Sequence, residues 1–240
     1  MKHTYLKVTI SLCMIVLLTG CLYPSNKLSE NQMPYEDQLE IVQNAVNSYQ
    51  SNANGALPIV TKENDTPIFE KYIIDFQMMK DQNVLSSIPS NAFESGGIYK
   101  YVLIHPDDDP QVKLIDLNIT EEIRKIYTKI SSYRSKHLYP PFGKEIAKGV
   151  YTINYEKIGM EHEPYIVSPY SQKNLPIVLA ASGDLYVDYR IDLKQALTDH
   201  EHDYKNGDDI RYIIAENSPF VPVYSLPYTI EDDQPVFDTN

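Results

Sequence analysis

Residues 120–137, TEEIRKIYTKISSYRSKH, set Ile123, Ile126, Ile130 and Tyr133 on one face of a helix, because residues three and four apart share a side at 3.6 residues per turn. Thr120 stands as the expected N-cap, with Glu121 and Glu122 in the first turn, where the helix dipole favours anions. The same stripe lies 84 positions earlier, in YEDQLEIVQNAVNSYQ (Tyr35–Gln50), as Leu39, Val42, Val46 and Tyr49. Local words agree as well: Ser48-Tyr49-Gln50-Ser51 against Ser132-Tyr133-Arg134-Ser135. Asn54-Gly55 and Pro58 end the first helix, and Pro141 follows the second. Downstream of each, Tyr72, Ile74 and Phe76 alternate, as do Tyr151, Ile153 and Tyr155, which predicts half-buried strands. Apolar runs at Tyr101–Ile104 and Ile177–Ala180 then pass through turns into strands at Val112–Leu117 and Leu185–Ile191. The expected fold class is α+β: two tandem repeated helix–strand–hairpin modules, residues 35–118 and 119–192, plus a Pro-rich C-terminal extension, 193–240. That extension opens on a short helix (Leu193, Ala196, Leu197, His200), offers Ile210–Ile214 as a strand, and ends in SPFVPVYSLPYTI, expected to run extended across a module.

Composition narrows the function classes. The 240 residues are 42% hydrophobic and 22% charged, an ordinary globular balance. A net charge of −12 lacks the basic footprint of a nucleic-acid binder, so no nucleic-acid partner is expected. Two cysteines are too few for a disulfide scaffold or a four-cysteine zinc site.

The N-terminus reads as an address. Lys2 and Lys7 precede an apolar run, Val8–Leu18, of eleven residues. As a helix it spans about 17 Å, short of the ~30 Å of a bilayer core, so residues 1–20 read as a signal peptide. Leu18-Thr19-Gly20-Cys21 resembles the bacterial lipobox. The resemblance implies cleavage between Gly20 and Cys21 and a diacylglyceryl group on the Cys21 sulfur. Only a thiolate is nucleophilic enough for that thioether, and two acyl chains hold a membrane stably where one does not. Loss of Lys2 and Lys7 leaves 19 basic against 33 acidic residues, a net charge near −14. Residues 21–34, polar with Pro24 and Pro34, are expected to form a flexible tether reaching at most ~45 Å.

Candidate chemistry is sparse. Asp199-His200-Glu201-His202-Asp203 holds metal-ligand residue types, but on a helix His200 and His202 sit about 200° apart, and a solvated helix end is preferred. Asp107-Asp108-Asp109 lacks the glycine of a calcium loop and reads as a turn, as does Asn206-Gly207-Asp208-Asp209. Glu161-His162-Glu163 lacks metalloprotease spacing. No nucleophile elbow, P-loop or dinucleotide fingerprint is present. No catalytic, cofactor or metal residue is therefore assigned. Twenty tyrosines in a Trp-free chain are the unusual feature, with Tyr139, Tyr151, Tyr155, Tyr165, Tyr170, Tyr186, Tyr189, Tyr224 and Tyr228 on the inferred strands and loops. Tyrosine suits interfaces and saccharide stacking as well as core packing.

The lipobox with Leu22-Tyr23-Pro24, NAFESGG (Asn91–Gly97), KLIDL (Lys113–Leu117), YVDYR (Tyr186–Arg190), GDDIRY (Gly207–Tyr212) and SPFVPVYSLPYT (Ser218–Thr229) resemble the YphF-like lipoproteins of Gram-positive bacteria over nearly the full chain. That family carries no assigned biochemical activity, so the resemblance implies a location and no mechanism.

The expected function is a lipid-anchored protein on the extracytoplasmic face of the cell membrane. It would be a non-enzymatic binding or structural protein, with an envelope protein or wall component as partner and the groove between modules as contact site. The alternative is an envelope solute- or metal-binding receptor or a hydrolase, with Asp184 and Asp188 converging in a cleft.

Overall fold

The computed structural model describes residues 34–239, and Tyr35–Asn240 forms a compact unit by itself. The signal peptide, Cys21 and nearly all of the tether lie outside the described residues.

Helix α1 (Tyr35–Asn52) buries Val42, Val46 and Tyr49, the stripe read from the sequence. Two short helices follow, α2 (Ile68–Lys71) and α3 (Phe76–Asp81), then the antiparallel hairpin of β1 (Tyr99–Ile104) and β2 (Gln111–Asp116). Single bridges extend that hairpin outward: Ile73 pairs with Val102 on β1, and Ile59 pairs with Ile74. The long helix α4 (Leu117–His137) buries Ile119, Ile123, Ile126 and Ile130. It leads into an antiparallel sheet in the order β3 (Phe142–Ala147), β4 (Val150–Ile153), β7 (Ile177–Ala180), β8 (Leu185–Val187). The connection between β4 and β7 carries a two-residue pair, β5 (Ile166–Val167) with β6 (Asn174–Leu175). Helix α5 (Arg190–Asp199), helix α6 (Tyr212–Glu216) and a hairpin of β9 (Tyr228–Glu231) and β10 (Gln234–Phe237) complete the chain. Helices and antiparallel sheets together make the fold α+β. Helix α1 packs on β2, α4 on β8 and α5 on β10, so a helix covers the last strand of its own sheet three times.

Strand β1 shows why its sequence is an unbroken apolar run. Tyr101 and Leu103 face the cluster built on α1, while Val102 and Ile104 join the larger cluster that holds the α4 stripe. A strand covered on both faces cannot alternate polar with apolar. In NAFESGG, Gly96 ends a single 3₁₀ turn with φ +85°, and a Cβ on Gly97 would fall inside the Asn91 carbonyl. Positive φ thus favours glycine at 96, and the Asn91 carbonyl leaves room for no other residue at 97.

Several expectations are corrected. Helix α4 starts at Leu117, three residues before Thr120, because the Asp116 carboxylate caps it by accepting from the Asn118 backbone N–H at 2.9 Å. Phe76 is helical, because Asp75 caps α3 through the Gln77 and Met78 amides and ends the strand expected over Tyr72–Phe76. The strand expected over Leu185–Ile191 stops at Val187. Ile210–Ile214 is not a strand: Ile210 donates to the Tyr228 carbonyl at 3.0 Å, and α6 begins two residues later. SPFVPVYSLPYTI runs along two strand edges and then enters β9. Leu114 of β2 exchanges hydrogen bonds with Pro219 (2.8 Å) and Val221 (3.0 Å), and Val187 of β8 donates to Tyr224 (2.8 Å).

Candidate functional site

Two adjoining hollows share Tyr35, Pro169 and Phe220 as their common wall. Tyr35 opens α1, Tyr99 opens β1, Asp116 caps α4, and Phe220 lies on the C-terminal segment beside β2. The first hollow, about 550 Å³, adds Glu122, Tyr165, Val167 and Gln172. The second, about 320 Å³, adds Tyr170, Asp192, Asp199 and His200. Together they form a groove where α1, α4, the β5–β6 loop and α5 meet.

Its aromatic wall is a packed trio. Tyr35 and Tyr99 each lie 5.6 Å from Phe220 by ring centroids, at tilts of 53° and 56°, and 6.5 Å from each other edge-on. These are favourable offset geometries for ring quadrupoles. Phe220 is buried, while Tyr35 and Tyr99 stay partly exposed and turn surface toward the groove. Tyr165 is half exposed on the opposite lip.

The floor is acidic. Burial pushes the Asp116 carboxyl above its usual range, against the Asn118 donors that pull it down. Burial also raises the Tyr99 phenol, with Asp116 and Glu36 adding to the effect. Asp192, almost fully buried in the first turn of α5, accepts from Ser168 at 2.7 Å and Ser171 at 2.5 Å. Ser168 Oγ in turn accepts from the Tyr170 and Ser171 amides, so the pair fixes the loop that carries Pro169. Burial raises the Asp192 carboxyl too, and outweighs both hydroxyl donors. The Tyr170 hydroxyl is buried beside the second hollow and has no hydrogen-bond partner among the described residues.

Those raised carboxylates set a pH dependence. Asp192, Asp116 and Glu70 all have folded values above their unfolded ones, chiefly through burial. The folded state therefore binds protons more readily, and the stability this contributes is full below the unfolded range near pH 4 and lost as pH rises through the folded values. Urea midpoints are expected to rise as pH is lowered through the folded values toward about pH 4, and Asp192→Asn is expected to flatten that slope. A midpoint that falls on mild acidification overturns the assignment.

Elsewhere, the anticipated groups do not converge. Asp188 is buried and paired with Arg190 at 2.6 Å beside an open hollow of about 820 Å³, whose Lys194 is bonded to the Asp233 carbonyl. Asp184 is exposed, accepts from Ser182 and lines a different hollow with Glu70 and Tyr224, so no single cleft holds Asp184 and Asp188. His200 follows the last residue of α5, and His202 packs beside Tyr204 at 5.8 Å. Among the described residues no cluster of His, Cys, Asp and Glu could hold a metal ion. Tyr165 and Tyr170 from the anticipated tyrosines reach the groove. No periodic signal in the sequence marks Tyr35, Tyr99 or Phe220, because the two tyrosines open their elements and Phe220 lies between elements on the C-terminal segment. Among the described residues no helix is long and apolar enough to cross a membrane.

No curated protein and no solved structure matches the chain. One family model does, and its bounds coincide with the first residue of α1 and the last of β2. NAFESGG and most of KLIDL fall inside that stretch, whereas YVDYR, GDDIRY and SPFVPVYSLPYT fall beyond it. Over residues 35–116 the chain is YphF-like, matching the YphF family N-terminal domain.

Proposed function

We propose that the chain is a membrane-anchored lipoprotein of the extracytoplasmic face and acts as a non-enzymatic binding protein of the cell envelope, with the aromatic and acidic groove as its ligand site. One observation carries the binding reading: Tyr35, Tyr99 and Phe220 meet Asp116 and Glu122 in a single hollow. Ring faces beside carboxylates favour a cationic group on an apolar or saccharide body. An amine-bearing wall fragment or basic peptide segment has that chemistry, and the net charge of −12 favours such a partner over nucleic acid. The anchored location is supported by Leu18-Thr19-Gly20-Cys21 behind its apolar run.

Tandem duplication is part of the same reading. In the first half Ile59, Ile74, β1 and β2 lie in antiparallel sequence, with α1 on β2. In the second half β3, β4, β7 and β8 do so, with α4 on β8. The match of order, direction and helix position supports two copies, whose junction forms the groove.

The test is titration calorimetry with tetralysine as probe. Binding is expected to weaken with salt. Asp116→Asn with Glu122→Gln keeps the α4 cap and is expected to weaken binding roughly three- to tenfold, the scale of exposed ion pairs. Absence of binding, or binding that the double variant leaves unchanged, overturns the groove assignment.

A further inference from the structure

Residues 124–148 hold seven Lys and Arg against one acidic residue, Glu145, in a chain whose net charge is −12. The structure gathers much of this charge at one end. Arg134, Lys136 and His137 lie in the last turn of α4 and are exposed, as are Lys144 on β3 and Lys148 in the β3–β4 turn. The group is contiguous. In the β7–β8 turn, the Ala181 N–H donates to the Gly149 carbonyl, and Gly183 lies against the Arg134 guanidinium and the Pro140 ring. Among the described residues no ion pair engages Arg134, Lys136, Lys144 or Lys148. Two carboxylates are near: Glu145 is bonded to the Gly149 amide, and Asp184 accepts from Ser182.

At the centre stands a leucine that folding alone does not explain. Leu138 closes α4 in the left-handed conformation, φ +67°, with 93% of its surface exposed. Glycine is the usual residue there, because a side chain is strained at positive φ. Tyr139, half exposed, packs on Tyr133 and His137, whose own rings stack at 4.1 Å, and this aromatic base holds the turn. The helix dipole accounts for cations in the last turn. It does not account for Lys144, for Lys148 or for the exposed leucine.

We propose that this tip docks on an anionic lipid bilayer, with Leu138 and Tyr139 entering the interfacial zone and Arg134, Lys136, Lys144 and Lys148 meeting lipid phosphates. The apolar pair decides between partners of like charge: a soluble polyanion gains nothing from an exposed leucine, whereas a bilayer interface buries it. Docking rests on the anchored reading, since a tethered chain meets the membrane at the high effective concentration that a weak contact needs. A lipid chain combined with a basic patch is a known route to firm attachment.

The test uses residues 35–240, which lack Cys21, so that sedimentation with vesicles reads the tip alone. Binding is expected to mixed phosphatidylglycerol–phosphatidylcholine vesicles, not to phosphatidylcholine alone, and raised salt is expected to release it. Replacing Arg134, Lys136, Lys144 and Lys148 by Gln is expected to weaken binding on the order of a hundredfold or more, since each basic residue near an anionic surface contributes about a factor of five. Leu138→Gly is expected to weaken it severalfold while the melting temperature stays level or rises. Equal binding to neutral vesicles, no binding, or unchanged binding of both variants overturns the proposal. So does competition by soluble polyglycerol phosphate that is indifferent to Leu138→Gly, which would give the patch to a polymer. Each result is independent of whether Cys21 carries lipid in cells.

Discussion

A Cys21→Ser chain is expected to lose its fatty-acid label, and any of it freed from the signal peptide is expected to lose its stable hold on washed membranes. Serine offers a hydroxyl where the thioether needs a thiolate, so neither lipidation nor the cleavage that follows it takes place. Each buried methylene contributes about 0.8 kcal/mol, so two acyl chains attach a protein stably where one binds reversibly. Nothing among the described residues replaces that anchor with a membrane-spanning helix. Labelling cells with a clickable fatty acid and washing the membranes reads both effects together. Processed Cys21→Ser protein held as firmly as the parent, with unprocessed precursor excluded, would sink the anchored reading. Residual salt-sensitive attachment is a different outcome, and it is the one the basic tip on α4 predicts.

How much of the fold could be read in advance depended on the range of the interactions that set each element. The stripes of α1 and α4 were legible because helical periodicity is local, and six of their eight apolar positions are buried as expected, while Leu39 and Tyr133 stay partly exposed. Helix starts were less legible. Thr120 and Asp116 are both good N-caps, and the choice between them depends on where β2 releases the chain. Strand β3 went unseen because Phe142–Ala147 includes Gly143, Lys144 and Glu145 and pairs with β4 through two register shifts, which erase any simple alternation. The terminal hairpin was hidden for a related reason. Its turn uses Asp232 and Asp233, both at positive φ, where Asn-Gly would have announced it, and Pro235 is tolerated only because β10 is an edge strand.

The candidate site was the least legible part. Tyr35, Tyr99, Asp116, Tyr165 and Phe220 come from five separate segments, and no spacing relates them. Conversely, Asp184 and Asp188 look like a convergent pair at four residues apart. The strand end between them instead sends Asp188 to Arg190 and leaves Asp184 in the turn.

The C-terminal segment makes the strongest demand on stability, and truncation after Asn217 is expected to abolish the fold. Residues 218–240 bury Phe220, Val221, Val223, Tyr228, Ile230 and Phe237. At roughly 1.5–3 kcal/mol for each buried apolar side chain, their loss comes to about 10 kcal/mol or more, against a total stability of about 5–15 kcal/mol for a domain. Hydrogen bonding points the same way. Removal leaves Leu114 of β2 and Val187 of β8 without the partners at Pro219, Val221 and Tyr224, and the buried Tyr189 hydroxyl loses its acceptor at Val223. Two uncovered strand edges then invite pairing between chains. The truncated protein is expected to be recovered as aggregate, or to lose its near-ultraviolet tyrosine signal and its cooperative urea transition. A milder variant separates packing from edge cover: Phe220→Ala keeps every backbone bond to Leu114, and it is expected to cost about 3–5 kcal/mol while leaving a cooperative, folded chain. Should the truncated chain unfold at the urea midpoint of the parent, the segment would be an ornament on two self-sufficient halves, and the groove it walls through Phe220 would have to be rebuilt without it.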